Sequence, residues 1–419
     1  MNPKTMDDLR NLKLKDAAVT LATGDSLTDD KLVSSIRSIG KIPFVLDFSR
    51  DFNGNEAYKK EGTYHQSFSI DKILVSVAAN THHSIKDAKD TIGYFMLLYS
   101  LAVARAESMA SSEILLPSAI FPINPDSMSG FAKALQRLTD EGTSKETNMS
   151  LEFMLSGGRK NNHSNTRLSN DKTVTLISGG TDSVGVAYIE KGLGKTLSLV
   201  QILYDQAARY QELWCVDKVV GDLGIKSADI CRVHLPMLKT FGGSALLRDD
   251  IRITEENKKI EYVPFRNTVL LAVALMKAEL AGAKYVAIGA NHDDTMAPDG
   301  TPSYIESINN LMLAIGSETP RVIAPLLGFG GKPEAIRTGI DLGIDFSHTW
   351  SCHTYVPPEA SGPDAKACGT CGNCSTRYSA FKHLGLDDPV KYMEMPTLRT
   401  KWAGPKENYM PLRKKLSIK

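Results

Sequence analysis

The sequence contains no apolar run of about 18 residues, and residues 1–20 lack the apolar core of a secretion signal. It also lacks an excess of charge, because 49 basic residues stand against 48 acidic ones and the net charge is +1. Such a balance supplies no basic field for a nucleic-acid backbone. We therefore expect a cytoplasmic protein with no membrane span and without nucleic acid as its main partner.

Cysteine is scarce, and its placement is uneven. Two of the six cysteines, Cys215 and Cys231, are isolated within apolar segments, whereas the other four cluster near the C-terminus: Cys352, Cys368, Cys371 and Cys374. A reducing compartment disfavours disulfides between them. Four thiolates, three of them separated by only two residues, predict a closed tetrahedral zinc site that folds the tail. An iron–sulfur cluster is the alternative, since it uses similar spacing.

The length of 419 residues favours two domains. A polar stretch at 156–171, rich in Gly, Asn, Ser and basic residues, is predicted to be the linker between them. Residues 1–155 give mixed signals, which predict an additional N-terminal α+β or α/β domain. Within it we predict strands at 42–48, 67–77 and 113–116, and helices at 85–108 and 129–138.

Residues 172–419 are predicted to form the second domain, in which strands and helices alternate. The predicted strands are 174–177, 196–203, 230–234, 285–288 and 321–325, and the predicted helices are 182–191, 207–222, 267–281, 305–315 and 333–342. Repeated βα units predict an α/β fold with a doubly wound parallel sheet. Its ligand is expected in a crevice at the carboxyl ends of the strands.

The first predicted strand of this domain runs directly into a glycine-containing turn and then a helix. The turn consists of Ser178, Gly179, Gly180, Thr181, Asp182 and Ser183. Glycines leave backbone N–H groups unhindered, and a helix N-terminus adds further donors, so that the segment suits phosphate oxygens. The carboxylate could hold Mg²⁺ or cap the helix. The competing interpretation is a strand–helix corner with an ordinary N-cap.

Polar residues follow three other predicted elements. Arg266 and Asn267 begin an apolar helix, and an acidic loop at 288–294 ends with Asp294 and continues to Asp299. Lys332 opens the last predicted helix, where an ammonium could neutralise phosphate. The alternatives are a helix cap beside a surface arginine, a solvated acidic loop, and an exposed lysine.

Taken together, these motifs resemble the 7-cyano-7-deazaguanine synthase (QueC-like) family of PP-loop ATP pyrophosphatases over 172–390. The matching segments are SGGTDS at 178–183, GGSALL at 242–247, PFRN at 264–267, IGANHDD at 288–294, and TWSC at 349–352 followed by CGTCGNC at 368–374. One departure is Phe265, which stands where the family has glycine.

The resemblance implies a ligase that forms C–N bonds. ATP would bind at 178–183 with Mg²⁺, and the carboxylate of 7-carboxy-7-deazaguanine would attack the α-phosphate and release pyrophosphate. The resulting acyl-adenylate would then acylate an amine. It implies catalytic roles for Ser178, Asp182, Ser183, Arg266 and Lys332, and contacts to the deazaguanine from Arg266, Asn267, Asp294 and Asp299.

The extended chain is similar to the QueC-like proteins of bacterial anti-phage operons, including the QatC type. For these the implied acceptor is the N-terminal amine of a partner protein. The extension would then serve either this acceptor or a homodimer. The alternatives are a nitrile-forming synthase that uses ammonia, another PP-loop enzyme such as a tRNA-thiolating relative, and a scaffold whose active site has decayed.

Overall fold

The protein is described here from a computed structural model. It describes residues 17–22, 33–34, 36–38, 41–47, 56–60, 63–67, 70–79, 81, 83–117, 128–144, 149–154, 168–226, 229–241, 244–251, 253–254, 261–293, 297–316, 318–328 and 331–399. We call its part up to residue 154 the N-terminal half and its part from residue 168 the C-terminal half.

The N-terminal half contains a six-stranded sheet with helices between its later strands. Its strands are β1 (Ala17–Leu21), β2 (Ile42–Asp47), β3 (Glu56–Lys60), β4 (Thr63–Ser67), β5 (Glu113–Pro117) and β6 (Ser150–Met154). Its helices are α1 (Asp71–Ala78), α2 (Ile85–Lys89), α3 (Ile92–Ser108) and α4 (Met128–Gly142). The strand order is β3-β4-β2-β1-β5-β6, and every neighbouring pair is parallel except β3 with β4. This half is therefore α/β, which was one of the two predicted classes.

Two sequence predictions in this half are wrong in detail. The strand predicted at 67–77 is mostly helix α1, in which Ile73, Leu74 and Val77 are buried and Val75 is 53% exposed, the pattern of one apolar helix face. The helix predicted at 85–108 is two helices, because Thr91 caps a new one by accepting a hydrogen bond from the Tyr94 backbone N–H at 3.1 Å. The strands predicted at 42–48 and 113–116 are confirmed as β2 and β5.

The C-terminal half contains a five-stranded parallel sheet with helices between its strands. Its strands are β7 (Ser169–Leu176), β8 (Thr196–Leu203), β9 (Cys231–His234), β10 (Ala283–Ala287) and β11 (Arg321–Ile323). Its helices are α5 (Thr181–Gly192), α6 (Arg209–Asp222), α7 (Met237–Phe241), α8 (Arg266–Ala281), α9 (Pro302–Ile315), α10 (Lys332–Asp341) and α11 (Gly372–His383). A short pair, β12 (Lys366–Ala367) with β13 (Lys391–Tyr392), joins the tail.

The strand order of this sheet, β11-β10-β7-β8-β9, confirms the doubly wound α/β fold. The chain moves outward in one direction from β7 through β8 to β9, and then returns to the other side of β7 with β10 and β11. The carboxyl ends of β7 and β10 therefore form the topological switch point, where open α/β sheets bind ligands. Of the predicted linker at 156–171, only residues 168–171 are described, and 169–171 belong to β7, which begins at Ser169.

The two halves have the same order of parallel strands and meet through corresponding elements. When the antiparallel β3 is set aside, the strands of the N-terminal half, numbered along the chain, lie side by side in the order 3-2-1-4-5. The sheet of the C-terminal half has the same order when it is read from β9 to β11. Helix α3, which leads to the fourth strand, packs on its counterpart α8, and α4 packs on its counterpart α9. The contact is so close that a Cβ on Gly93 would lie 2.1 Å from the Met276 nitrogen.

The outer contacts between the halves are reciprocal, as in an interface with two-fold symmetry. Helix α1 packs on β9, where the Cys231 thiol donates to the Ser76 carbonyl at 3.2 Å. In the corresponding place, Gln66 of β4 donates to the Thr240 hydroxyl of α7 at 3.2 Å. Apolar residues of both halves form one continuous core. The N-terminal half therefore covers the face that α8 and α9 would otherwise expose.

One carboxylate links the halves at the start of α3. Glu279 of α8 accepts from the Ile92 N–H at 3.0 Å and from the Gly93 N–H at 2.9 Å. Burial nevertheless raises its pKa from the ordinary 4.5 to about 7, although the two hydrogen bonds oppose the shift. The folded protein therefore holds a proton on Glu279 that the unfolded chain has already released at pH 5 to 7.

This shift predicts that Glu279 makes folding less favourable as pH rises. Because the folded state binds more protons, stability falls between the two pKa values, by about 3 kcal/mol in total. Glu279→Gln is neutral throughout, so the stability of wild type relative to this variant should decrease from pH 4.5 to 8. Urea unfolding at several pH values measures this, with Glu306→Gln on the exposed face of α9 as control. Parallel profiles for wild type and Glu279→Gln would contradict it.

Within the described residues, no helix combines the length and the apolar character needed to cross a membrane.

Candidate functional site

The predicted phosphate-binding turn joins β7 to α5 at the switch point. The Ser183 hydroxyl organises it by accepting from the Ser178 N–H at 3.1 Å and donating to the Gly180 carbonyl at 3.1 Å. Gly179 has φ +81°, and a Cβ there would lie 2.9 Å from the Cys215 Cβ. Glycine is therefore required on steric grounds as well as by the left-handed backbone.

The N-terminus of α5 opens towards this turn. Its N-cap is Gly180, and no side chain among the described residues caps the helix. The first backbone N–H groups of a helix and its dipole attract anions when they are left uncapped. In the rival interpretation, an ordinary N-capped corner, Gly180 is the N-cap, but it supplies no side-chain oxygen to the first N–H groups of α5. The geometry therefore favours an anion site at 178–183.

A lysine from another element lies directly beside this helix end. The Lys332 ammonium, at the start of α10, donates to Oδ2 of Asp182 at 2.5 Å, and the lysine is only 8% exposed. Oδ1 of the same carboxylate is buried and finds no hydrogen-bond partner in the described part of the chain. An unsatisfied buried carboxylate oxygen is costly, and it suits a hard cation such as Mg²⁺.

Two further glycines bring the walls of the site together. A Cβ on Gly289, after β10, would lie 2.7 Å from the Ser183 nitrogen, and one on Gly331 would lie 2.5 Å from Oδ2 of Asp293. That Asp293 oxygen accepts from the Lys332 backbone N–H at 2.6 Å. Residues 289–293 and the start of α10 are thus packed against the turn at 178–183.

The start of α8 supplies the opposite wall. Arg266 and Asn267 both border the cavity, and the Arg266 guanidinium donates to the Tyr204 hydroxyl at 3.4 Å. Asp299 accepts the Asn267 backbone N–H at 2.6 Å, so that it serves as the cap of α8 as well as part of the lining. Asp294, which was also predicted to hold the substrate, lies outside the described residues.

These walls enclose a cavity of about 350 Å³. Its described lining residues are scattered along the chain, the first being Leu176 and the last Arg399. Several lining atoms are buried polar groups that lack a hydrogen-bond partner among the residues described: Thr181 Oγ1, Asp182 Oδ1, Glu261 Oε1, Trp350 Nε1 and Ser351 Oγ. Buried polar groups are normally satisfied. Their concentration here indicates that the cavity is built for a polar ligand.

Sequence reasoning did not place three titratable residues in this cavity. Glu212 comes from α6, Glu261 from the irregular segment before α8, and His353 from the segment between α10 and β12. Glu261 lies 3.1 Å from Nδ1 of His353, and Gln206 donates to Glu212 at 2.6 Å. Burial raises the pKa of Glu212, although this hydrogen bond opposes it. No sequence signal connects the three residues.

The predicted metal ligands form one compact cluster. The sulfur atoms of Cys352, Cys368, Cys371 and Cys374 all lie within 4.8 Å of one another, and all four residues are buried. Four converging thiols can hold a metal ion, and the arrangement is consistent with a zinc knuckle. The Trp350 backbone N–H, two residues before the cluster, donates to the Gly179 carbonyl at 2.8 Å. This hydrogen bond connects the cysteine cluster to the turn at 178–183.

Comparison with known proteins supports this arrangement. The family model described as "Queuosine biosynthesis protein QueC" matches residues 172–385. A 7-cyano-7-deazaguanine synthase of Rickettsia bellii is 37% identical over 53% of this chain and 98% of its own length. The synthase of Methanosphaerula palustris is 34% identical over 53% of this chain and 100% of its own. The match to the family model begins at residue 172 and therefore leaves the N-terminal half unmatched.

Among solved structures, the U34-tRNA thiolase NcsA from Methanococcus maripaludis is 20% identical and covers 48% of this chain and 60% of its own, with a TM-score of 0.23. So low a score carries no weight. The family match and the relatives, which align over almost their whole length, are decisive. The chain belongs to the QueC family.

Proposed function

We propose that the protein adenylates the carboxylate of 7-carboxy-7-deazaguanine and transfers the acyl group to an amine. A carboxylate oxygen attacks the α-phosphorus of ATP and pyrophosphate leaves; the amine nitrogen then attacks the acyl carbon, loses a proton and displaces AMP. The observation that carries this proposal is the uncapped N-terminus of α5, which faces the cavity beside Lys332 and the unsatisfied Oδ1 of Asp182.

Roles for the site residues follow from this proposal. The turn at 178–183 binds the phosphates through its N–H groups and through Ser178 and Ser183, while Lys332 and Arg266 offset charge on the departing pyrophosphate. Asp182 would hold Mg²⁺, which would neutralise phosphate charge. Arg266, Asn267 and Asp299 bind the deazaguanine, and Asp294 is proposed on the family resemblance alone.

A protein N-terminus is the proposed acceptor. The carboxylates of Glu212 and Glu261 border the same cavity, and carboxylates attract a protonated amine before it loses its proton. Such tagging in anti-phage defence rests on the likeness to QatC-type proteins. A homodimer would have to use other surfaces than α8 and α9, which α3 and α4 already cover.

Isotope transfer tests the adenylation. With the acid labelled by ¹⁸O in its carboxylate, we expect pyrophosphate and AMP that carries one ¹⁸O atom, because the attacking oxygen stays on phosphorus when the amide forms. The control is 7-deazaguanine without the carboxylate. Release of unlabelled AMP with the labelled acid, or no turnover with any amine although ATP binds, would contradict the proposal. The second outcome would indicate a scaffold.

The alternative is a nitrile-forming synthase that uses ammonia, and it is favoured by relatives of that name that align over nearly their full length. Product masses distinguish the two. A peptide with a free N-terminus should gain the deazaguanine acyl group while its acetylated counterpart does not, whereas a synthase would convert the acid to the nitrile with ammonia and leave both peptides unchanged.

We propose that the cysteine cluster binds Zn²⁺, because four converging thiolates are a ligand set of structural zinc sites, which keep no open position for water.

A further inference from the structure

The turn that carries Arg266 contains a strained residue. Phe265 has φ +50° and ψ +25°, the left-handed conformation, which a bulky side chain rarely adopts. It directly precedes α8, and its neighbours Val263, Arg266 and Asn267 border the cavity while Phe265 itself does not. Strain of this kind persists only where the surroundings impose it, and it concentrates at binding sites.

Residues of the N-terminal half pack directly against the Phe265 side chain. The Phe265 ring is fully buried and meets the Tyr99 ring of α3 edge to face, with centroids 5.9 Å apart and planes at 85°. A Cβ on Gly142, at the end of α4, would lie 2.4 Å from Cε2 of Phe265. Tyr99 and Gly142 therefore form a closely fitting contact site for the Phe265 ring, which we call its seat.

A second contact holds the beginning of the same turn. The Tyr262 hydroxyl donates to Glu107 of α3 and lies 3.1 Å from both carboxylate oxygens, while Glu107 also accepts from the Ser144 N–H at 2.6 Å. The Tyr262 oxygen in turn accepts from the Phe265 N–H at 3.4 Å. Both the Phe265 contact and the Tyr262 contact therefore come from α3 and from the end of α4 with the residues that follow it.

We propose that the N-terminal half is a positioning domain for the substrate-binding turn, acting through Phe265 and through the Glu107–Tyr262 hydrogen bond. Phe265 and Glu107 line no part of the cavity. They act by fixing the backbone so that Arg266 and Asn267 face the cavity. The identity of the bound acid rests on the proposed function, whereas the positioning itself does not.

Kinetics of paired variants test the proposal. Phe265→Ala empties the seat and Glu107→Ala removes the acceptor, whereas Phe265→Leu keeps apolar volume and Glu107→Gln keeps an acceptor oxygen. We expect the alanine variants to raise KM for 7-carboxy-7-deazaguanine about tenfold or more, because a turn that moves by about 1 Å binds poorly. KM for ATP should stay within about threefold, and the conservative variants should recover most of the loss.

Amide hydrogen exchange supplies a readout that does not depend on the reaction. Peptides that cover 261–268 should exchange faster in Phe265→Ala and Glu107→Ala, while peptides that cover the turn at 178–183 should not. Two controls in the N-terminal half leave the turn untouched. Leu21→Ala truncates a buried side chain of β1 that makes none of the contacts to the turn described above, and Ala110→Gly relieves a left-handed residue (φ +57°) exposed to solvent.

The outcomes separate this proposal from the proposed function. Unchanged exchange at 261–268 in both alanine variants overturns the positioning role, even if the enzyme adenylates the acid. Equal rises in the KM values for ATP and for the acid, or the same response to Leu21→Ala, also overturn it, since they indicate general destabilisation. If the wild type turns over no substrate, faster exchange confined to 261–268 still supports it.

Discussion

Replacing Asp182 by asparagine is expected to lower pyrophosphate release about 1000-fold, the size of effect seen when one group that stabilises transferred charge is removed. The carboxylate presents one oxygen to Lys332 and leaves the other, buried, without a partner in the described structure. Asparagine keeps the shape and one oxygen for Lys332 but loses the charge that Mg²⁺ requires. Pyrophosphate release with ATP and 7-carboxy-7-deazaguanine measures the effect.

A matched pair elsewhere provides the control. Asp387 accepts from Lys382 at 2.5 Å, as Asp182 does from Lys332, but its side chain is 94% exposed and does not border the cavity. Asp387→Asn should leave turnover within about twofold, since exposed ion pairs contribute little. Turnover of Asp182→Asn within about threefold of wild type, with an unchanged need for Mg²⁺, would remove Asp182 from the proposed mechanism.

The sequence was most informative where local patterns are long or strongly periodic. The strand predicted at 196–203 and the helix predicted at 267–281 match β8 and α8 to within one residue. The strand prediction for 67–77 was wrong because its apolar residues fit, in part, both the two-residue period of a strand and the 3.6-residue period of a helix. Packing of Ile73 and Leu74 into the core decides in favour of helix α1.

The site residues also differ in how far local sequence could place them. The turn at 178–183 and Lys332 could be predicted to lie on the same side of the sheet, because the carboxyl ends of all strands in a parallel sheet share one edge, although β10 lies between β7 and β11. Glu261 and His353 could not, since an irregular segment and the cysteine-rich tail bring them together. The seat of Phe265 was equally hidden. It depends on how the N-terminal half docks, for which the sequence of the turn carries no signal.

The cysteine cluster should contribute a large share of stability to the tail. Cys371→Ser leaves only three thiolates for the ion. Loss of the ion should loosen the packing of the cysteines against Trp350, Leu246 and Leu247, with which they form one buried cluster. We expect metal content to fall from about one equivalent to below about 0.1, and the melting temperature to fall by about 10 °C. Elemental analysis and thermal unfolding measure both.

Loss of the ion should also weaken adenylation, because the Trp350 N–H that holds the Gly179 carbonyl belongs to the same cluster. The matched control is Cys231→Ala, which removes an equally buried thiol from β9 without touching the four-cysteine cluster. It should keep full metal content and turnover. A wild type that binds no metal, or Cys371→Ser with full occupancy, would refute the structural role, whereas iron together with acid-labile sulfide would identify an iron–sulfur cluster in place of zinc.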